Sequence, residues 1–83
     1  MEIKEIRKYL YDKYDCIEGV VIIDLLNVNT LETTGVSVSC QLSNKHGYDI
    51  ETLAEIRNEI GADSCAVFVN KGRINARFRI HNS

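Results

Sequence analysis

Residues 73–81 read RINARFRIH, and apolar and polar side chains alternate along this whole stretch. Successive side chains of a β-strand point to opposite faces, so the alternation predicts a strand with two different faces. One face is apolar and belongs in a core: Ile74, Ala76, Phe78 and Ile80. The other face is cationic and meets solvent: Arg73, Asn75, Arg77, Arg79 and His81. The stretch therefore predicts a half-buried strand of an antiparallel sheet.

An apolar strand is predicted immediately before it, at residues 64–69 (SCAVFV). Its side chains are apolar at both parities, which is typical of a central strand buried on both faces. The Asn-Lys-Gly segment at 70–72 fits a three-residue hairpin loop that ends on a glycine. In that register Val67 pairs with Asn75, and Phe68 points into the core. A shift of one residue would instead bring Phe68 to the opposite face of the sheet.

A second hairpin is predicted upstream from the same two kinds of strand. Residues 20–31 contain VVIIDLL and predict a central strand, whereas residues 36–43 (VSVSCQLS) alternate. The Thr-Thr-Gly segment between them fits a three-residue loop with Gly35 in the left-handed conformation. This register pairs Leu26 with Leu42, so that apolar side chains face each other across the hairpin.

Each hairpin follows a predicted helix. Residues 2–14 carry apolar side chains at helical spacing: Ile3, Ile6, Leu10 and Tyr14. The second helix begins at Asp49, a good N-cap residue, and stops at Gly61. Its apolar stripe is Leu53, Ile56 and Ile60.

The element order is therefore αββαββ, which predicts a single α+β domain over residues 1–83. The second and third strands are joined through a helix and should run parallel by a right-handed crossover. Placing the two strands that are apolar at both parities in the centre gives a four-stranded antiparallel sheet in the order 2-1-3-4. The triplet EIR recurs at 5–7 and 55–57. This faint duplication favours a two-layer fold with both helices on one face.

The helix-free face of this sheet is the predicted functional surface. Its aliphatic centre would be Val21, Ile23, Leu25, Val67 and Val69, and its cationic margin Arg73, Arg77 and Arg79. Exposed apolar stripes usually mark contact sites, and arginine is enriched where proteins meet. The alternative is a first helix that crosses to this face and covers the stripe, which would give a three-layer monomer.

Composition narrows the class of protein. The net charge is −2, whereas nucleic-acid-binding domains normally carry a stronger basic bias. The three cysteines form no disulfide framework and are expected to be reduced, which favours a cytoplasmic location. The charged N-terminus argues against a signal peptide, and no apolar run is long enough to span a membrane. A high content of Ile and Asn hints at a bacterial or phage gene.

Catalytic and metal-binding motifs are not evident in the sequence. Asp24 lies within the apolar strand at 20–31, and Arg7 or Arg57 would be its natural ion-pair partner. No histidine or nucleophile is tied to it by a motif, and the two histidines and three cysteines lack zinc-ligand spacing. The five glycines are isolated and form no phosphate loop. We therefore expect neither an enzyme nor a cofactor or metal site.

The sequence predicts a small non-catalytic binding protein of the inhibitor or adaptor type. It would form a homodimer or bind a protein partner through the helix-free face. The second hypothesis is a single-stranded nucleic-acid-binding protein that uses Lys71, Arg73, Arg77 and Arg79, although sheet platforms of that kind need aromatic rings on their open face. The third is an enzyme subunit or ligand-binding protein with a site around Asp24.

Overall fold

The structure, a computed structural model, describes residues 1–43 and 49–82. The predicted αββαββ order is confirmed. The elements are α1 (Ile3–Lys13), β1 (Ile17–Leu26), β2 (Thr33–Leu42), α2 (Ile50–Ile60), β3 (Ser64–Asn70) and β4 (Arg73–His81). The alternating stretch that predicted the last strand coincides with β4.

The four strands form an antiparallel sheet in the order β1-β2-β4-β3. The predicted order 2-1-3-4 is therefore wrong, because β1 and β3 lie at the edges and not in the centre. Apolar side chains at both parities did not mean burial on both faces: Val21 and Val69 remain largely exposed on these edge strands. The strands β2 and β3 do run parallel, since each is antiparallel to β4, which lies between them.

Close backbone contact joins β2 to β4 in the centre of the sheet. A Cβ atom on Gly35 would lie only 2.0 Å from the carbonyl oxygen of Ile80. Gly35 is therefore required inside β2 for this approach, and its predicted place in a left-handed hairpin loop is wrong. The physical reason for the glycine is the neighbouring strand and not the turn.

The turn between β1 and β2 is formed by Asn27–Glu32. The N–H of Asn27 donates to the carbonyl of Glu32 at 2.9 Å, and Leu31 takes the left-handed conformation with φ 62°. The register moves accordingly, so that Leu42 pairs with Ile17 and the predicted Leu26–Leu42 pair is not formed.

The turn between β3 and β4 has two residues and not three. Lys71 and Gly72 both have positive φ, 54° and 77°, as a type I′ hairpin turn requires. Asn70 therefore pairs with Arg73, and the whole hairpin is shifted by one residue from the predicted register. Since side chains alternate, Phe68 moves to the face opposite Phe78.

Both helices lie on one face of the sheet, as predicted. A single buried cluster joins Ile6 and Leu10 of α1 to the apolar stripe of α2 and to Phe78 at the sheet centre. The strand residues of this cluster share one face: Ile17, Val20, Val36, Val38, Cys40, Leu42, Ala76 and Phe78. The helix α1 does not cross to the other side, so the three-layer alternative is wrong.

The ends of α2 and its contact with α1 are fixed by local polar groups. Asp49 accepts a hydrogen bond from the N–H of Thr52 at 2.7 Å, which lowers the pKa of Asp49, and Gly61 closes the helix with φ 76°. Lys13 of α1 reaches Glu55 at 2.8 Å and Glu59 at 2.7 Å. The predicted cap and stop are confirmed, and the two helices are joined by ion pairs above the core.

The helix-free sheet face as a candidate binding site

The helix-free face, called the open face below, follows from the strand pairings. Directly paired residues of antiparallel strands lie on the same face. Val21, Ser39, Arg77 and Ala66 form one such row across all four strands, and Ile23, Ser37, Arg79 and Ser64 form the next. On this surface β1 therefore contributes aliphatic side chains, β2 contributes serines and β4 contributes arginines.

The β1 edge of the open face carries an aliphatic row, defined as Val21, Ile23 and Leu25. Val21 is 57% exposed and Ile23 is 58% exposed, although both are β-branched residues of a regular strand. The part of the predicted aliphatic centre that comes from β1 therefore lies at the edge of the sheet. Its side chains are exposed to water, as expected from the sequence.

The cationic row, defined as Arg73, Arg77 and Arg79, follows β4. Arg73 is neutralised by Glu18, with Nη1 and Oε2 2.6 Å apart. The guanidinium of Arg77 stacks on the ring of Phe68 at 4.6 Å from its centroid. Arg79 is exposed and forms no ion pair with any residue that the structure describes. Two of the three positive charges therefore remain available to a negatively charged partner.

A shallow groove separates the two rows. It lies over β2, where the open-face residues are Gly35, Ser37 and Ser39. Ser37 is only 3% exposed because its larger neighbours on either side, Ile23 and Arg79, stand above it. Two strand spacings of about 4.8 Å separate the Cα atoms of the two rows, and the side chains that cover Ser37 fill most of that distance.

Two predicted site residues do not belong to the open face. Val67 and Val69 pair with Ala76 and Ile74, so they lie on the helix side of β3. Their exposures are 47% and 70%, and Val67 lines an open groove between β3 and α2 with Ile50 and Leu53. The one-residue difference in the hairpin turn is the reason for the error, and it replaces these valines on the open face with Ala66 and Phe68.

Asp24 forms no site of its own. It lies on the helix side of β1 opposite Val36, but it is exposed because it sits on the edge strand. Neither Arg7 nor Arg57 pairs with it, and the described ranges 1–43 and 49–82 contain no group of three His, Cys, Asp or Glu that could hold a metal. The three cysteines are free thiols, and burial raises the pKa of Cys40 to about 12.

The end of the cationic row is tied to β3 by an acidic residue. Asp63 accepts hydrogen bonds from the backbone N–H of His81 at 2.9 Å and pairs with its Nδ1 at 2.7 Å. These contacts hold the pKa of Asp63 below its ordinary value of 3.8. The pair fixes the β3 and β4 ends against each other, so the row has a defined position.

Replacing Asp63 with Asn is expected to destabilise the fold at neutral pH but not in acid. A carboxyl group with a lowered folded-state pKa adds stability above its unfolded pKa and loses it as the pH falls through the folded value. Urea unfolding of the wild type and of Asp63→Asn should therefore differ at pH 7 and converge as the pH falls below the lowered pKa of the Asp63 carboxyl. An undiminished difference at pH 2 would show that the Asp63 carboxylate is not the cause.

Several contacts of this surface were not predicted from sequence. The Glu18–Arg73 pair joins residues 55 positions apart, and the Phe68–Arg77 stack depends on the short turn. The sequence signal was weak in the second case, because Gly72 suits a two-residue type I′ turn but Lys71 is not among the residues that favour one. The first case depends on the strand order, which places β1 and β4 on either side of β2.

Comparison of the chain with known protein families, with curated proteins and with solved structures finds no match. Among the described residues, no helix is long and apolar enough to cross a membrane. The open face, with its aliphatic and cationic rows, is therefore the evidence from which a function is inferred.

Proposed function

We propose that this chain is a non-catalytic, cytoplasmic binding protein of the inhibitor or adaptor type that recognises a protein partner through its open face. The observation that carries the proposal is the exposed aliphatic row of β1 together with the cationic row of β4, in which Arg79 has no ion-pair partner among the residues that the structure describes. Protein interfaces combine an apolar part that excludes water with arginine-rich polar margins. The open face has both parts on one surface.

The partner is expected to be acidic where it meets β4 and aliphatic where it meets β1. A carboxylate can form a bidentate pair with a guanidinium, and Arg79 has no such partner among residues 1–43 and 49–82. Apolar side chains of the partner would cover Val21 and Ile23. The acidic residues near the two ends of the cationic row, Glu18 and Asp63, are already paired with Arg73 and His81 and so repel such a partner less.

The size of the face predicts a modest affinity. Four strands about 4.8 Å apart, paired over about eight residues of ~3.3 Å each, give a surface of roughly 500 Å². Stable interfaces bury about 800 Å² on each partner. The open face alone therefore predicts transient binding, and a tight complex needs contact beyond it.

Matched substitutions test whether the open face is the binding surface. Val21→Thr with Ile23→Thr keeps the β-branched shape that strands favour but removes apolar surface. Ile50→Thr is the control, because Ile50 is 82% exposed on α2, outside the open face. Arg79→Glu has the exposed Arg7→Glu of α1 as its own control.

Each variant serves as bait in extracts of the cells that make the chain, with chemical cross-linking and mass spectrometry as the readout. Wild type and both controls should capture the same partner, whereas the open-face variants should capture it about tenfold less, with circular dichroism unchanged. Equal capture by all five proteins would refute the proposed surface.

A second candidate function, binding of single-stranded nucleic acid, gains support from one observation. Phe68 lies on the open face under Arg77, so an aromatic ring for base stacking is present beside the cationic row.

Fluorescence anisotropy with labelled 12-residue oligomers of deoxythymidine and of uridine separates the two functions. A nucleic-acid-binding protein should lose affinity steeply as salt rises, and Phe68→Leu should weaken it further. The protein-binding function predicts no salt-sensitive binding at micromolar concentrations.

A further inference from the structure

The outer edge of β1 offers unpaired backbone groups. Within the described residues β1 pairs with β2 alone. The N–H of Val20 donates to the hydroxyl of Tyr11 at 3.0 Å and so points away from β2, whereas the carbonyl of Leu25 accepts from Thr34 at 3.3 Å and points toward β2. Backbone groups of a strand alternate in direction. The N–H and C=O groups of Ile22 and Asp24 therefore point outward.

The protective features of this edge are confined to its ends and to one residue, because the pairing with β2 is irregular at Ile17/Gly19 and at Leu25/Leu26 and Asp24 is the one charged side chain between them. The segment 21–26 (VIIDLL) is aliphatic except at Asp24, and it contains no lysine or proline. The hydroxyl of Tyr11 occupies the N–H of Val20, and the turn begins at Asn27. Among the described residues, the regular part of this edge at 21–25 is thus open to a strand from another molecule.

We propose that β1 pairs antiparallel with β1 of a second copy of this chain, with Ile23 opposite Ile23 of that copy. The aliphatic row is self-complementary in this arrangement, because Val21 of one copy faces Leu25 of the other and the two Ile23 side chains meet. Ile22 and Asp24 of each copy exchange backbone hydrogen bonds with Asp24 and Ile22 of the other.

Three antiparallel registers bring the outward backbone groups of Ile22 and Asp24 together with those of the second copy, and two of these registers can be eliminated. Centring the pair on Ile22 requires the backbone of Val20, which Tyr11 already binds. Centring it on Asp24 places two carboxylates directly opposite each other, which is destabilising. Centring it on Ile23 uses only backbone groups that lack a strand partner, and it leaves the two Asp24 side chains as diagonal neighbours about 7–8 Å apart.

The dimer also enlarges the open face. The use of this larger surface for partner binding rests on the proposed function. Two sheets would join into one of eight strands, with both aliphatic rows in the middle and a cationic row on each side. Five strand spacings of about 4.8 Å separate the two β4 strands, or about 24 Å. The doubled surface supplies the contact area that a single open face lacks.

Single-cysteine variants test the register directly. The background is Cys16→Ser with Cys65→Ser, since the remaining Cys40 is buried. Under mild oxidation Ile23→Cys should form a disulfide-linked dimer, because the Cα atoms of such directly opposed pairs lie about 4.5 Å apart. Val21→Cys alone should not, because four residues, about 13 Å, separate the two copies of it. A mixture of Val21→Cys and Leu25→Cys should cross-link.

Sedimentation velocity on two substitutions of one residue tests the backbone pairing independently. Asp24→Asn removes the diagonal repulsion and should tighten the dimer severalfold. Asp24→Pro removes the same charge but also the outward N–H, so it should abolish the dimer while the monomer stays folded by circular dichroism.

Cross-linking through Ser39→Cys in preference to Ile23→Cys would overturn the proposal, because it would mean that two open faces stack. A wild type that sediments as a monomer up to about 1 mM would overturn it as well. These measurements use the purified chain without any partner, so their failure would leave the proposed function intact. Conversely, equal capture by all five proteins would refute the proposed function without changing the cross-linking pattern expected of the dimer.

Discussion

Phe78→Ala should destabilise the fold by about 3–5 kcal/mol, whereas Phe68→Ala should cost less than about 1 kcal/mol. Phe78 is completely buried beneath both helices, so its removal leaves a cavity in the cluster that joins the helices to the sheet. A domain of this size has a total stability of roughly 4–12 kcal/mol. Much of the Phe78→Ala protein should therefore be unfolded at 37 °C.

The two phenylalanines are a matched pair, since they are the only ones in the chain and the structure places them on opposite faces of neighbouring strands. Urea denaturation followed by circular dichroism measures both free energies of unfolding. Equal losses would contradict the two-residue turn at Lys71–Gly72, because the register with a three-residue loop buries Phe68 as well.

Gly35→Ala should cost about 3 kcal/mol or more. The added Cβ would lie 2.0 Å from the carbonyl oxygen of Ile80 and 2.8 Å from the Cα of His81. Both are backbone atoms of the neighbouring strand, so relief requires that β2 and β4 separate in the centre of the sheet. Thermal unfolding should show a fall of more than about 10 °C, since 1 kcal/mol corresponds to roughly 4–8 °C in a domain of this size.

Gly19→Ala is the control for this substitution. A Cβ there would meet Oε1 of Gln41 at 3.0 Å, but that atom ends a flexible and exposed side chain that can move aside. We expect a loss of less than about 1 kcal/mol. If Gly35→Ala were as mild as Gly19→Ala, the adjacency of β2 and β4 would be wrong, and with it the strand order.

The local features of the fold were predictable because each is decided by a few neighbouring residues. Alternation alone located β4, and Asp49 and Gly61 marked the ends of α2. The strand order was not predictable in this way. An apolar strand such as β1 satisfies the same pattern in the centre of a sheet or at its edge, and the decisive contact, Gly35 against Ile80, joins residues 45 positions apart.

The sequence predicted the correct face for those site residues whose placement does not depend on the length of a hairpin turn. Val21, Ile23 and Leu25 share the open face with Arg73, Arg77 and Arg79, as expected from parity within each strand. Val67 and Val69 were misplaced because a loop shorter by one residue moves every side chain of β3 to the other face. The left-handed conformation of Lys71 made that shorter loop possible, and lysine gives little sign of it in a sequence.

The central claim is that α1 and α2 leave one face of the sheet uncovered, and isoleucine methyl NMR with a soluble gadolinium chelate tests it most directly. The measurement is made at a concentration where the chain sediments as a monomer. Ile23 and Ile50, which are 58% and 82% exposed, should be broadened strongly, whereas the buried Ile6 and Ile56 should be spared. An Ile23 methyl protected as well as that of Ile6 would mean that the open face is covered within one molecule, and the proposed binding surface would not exist.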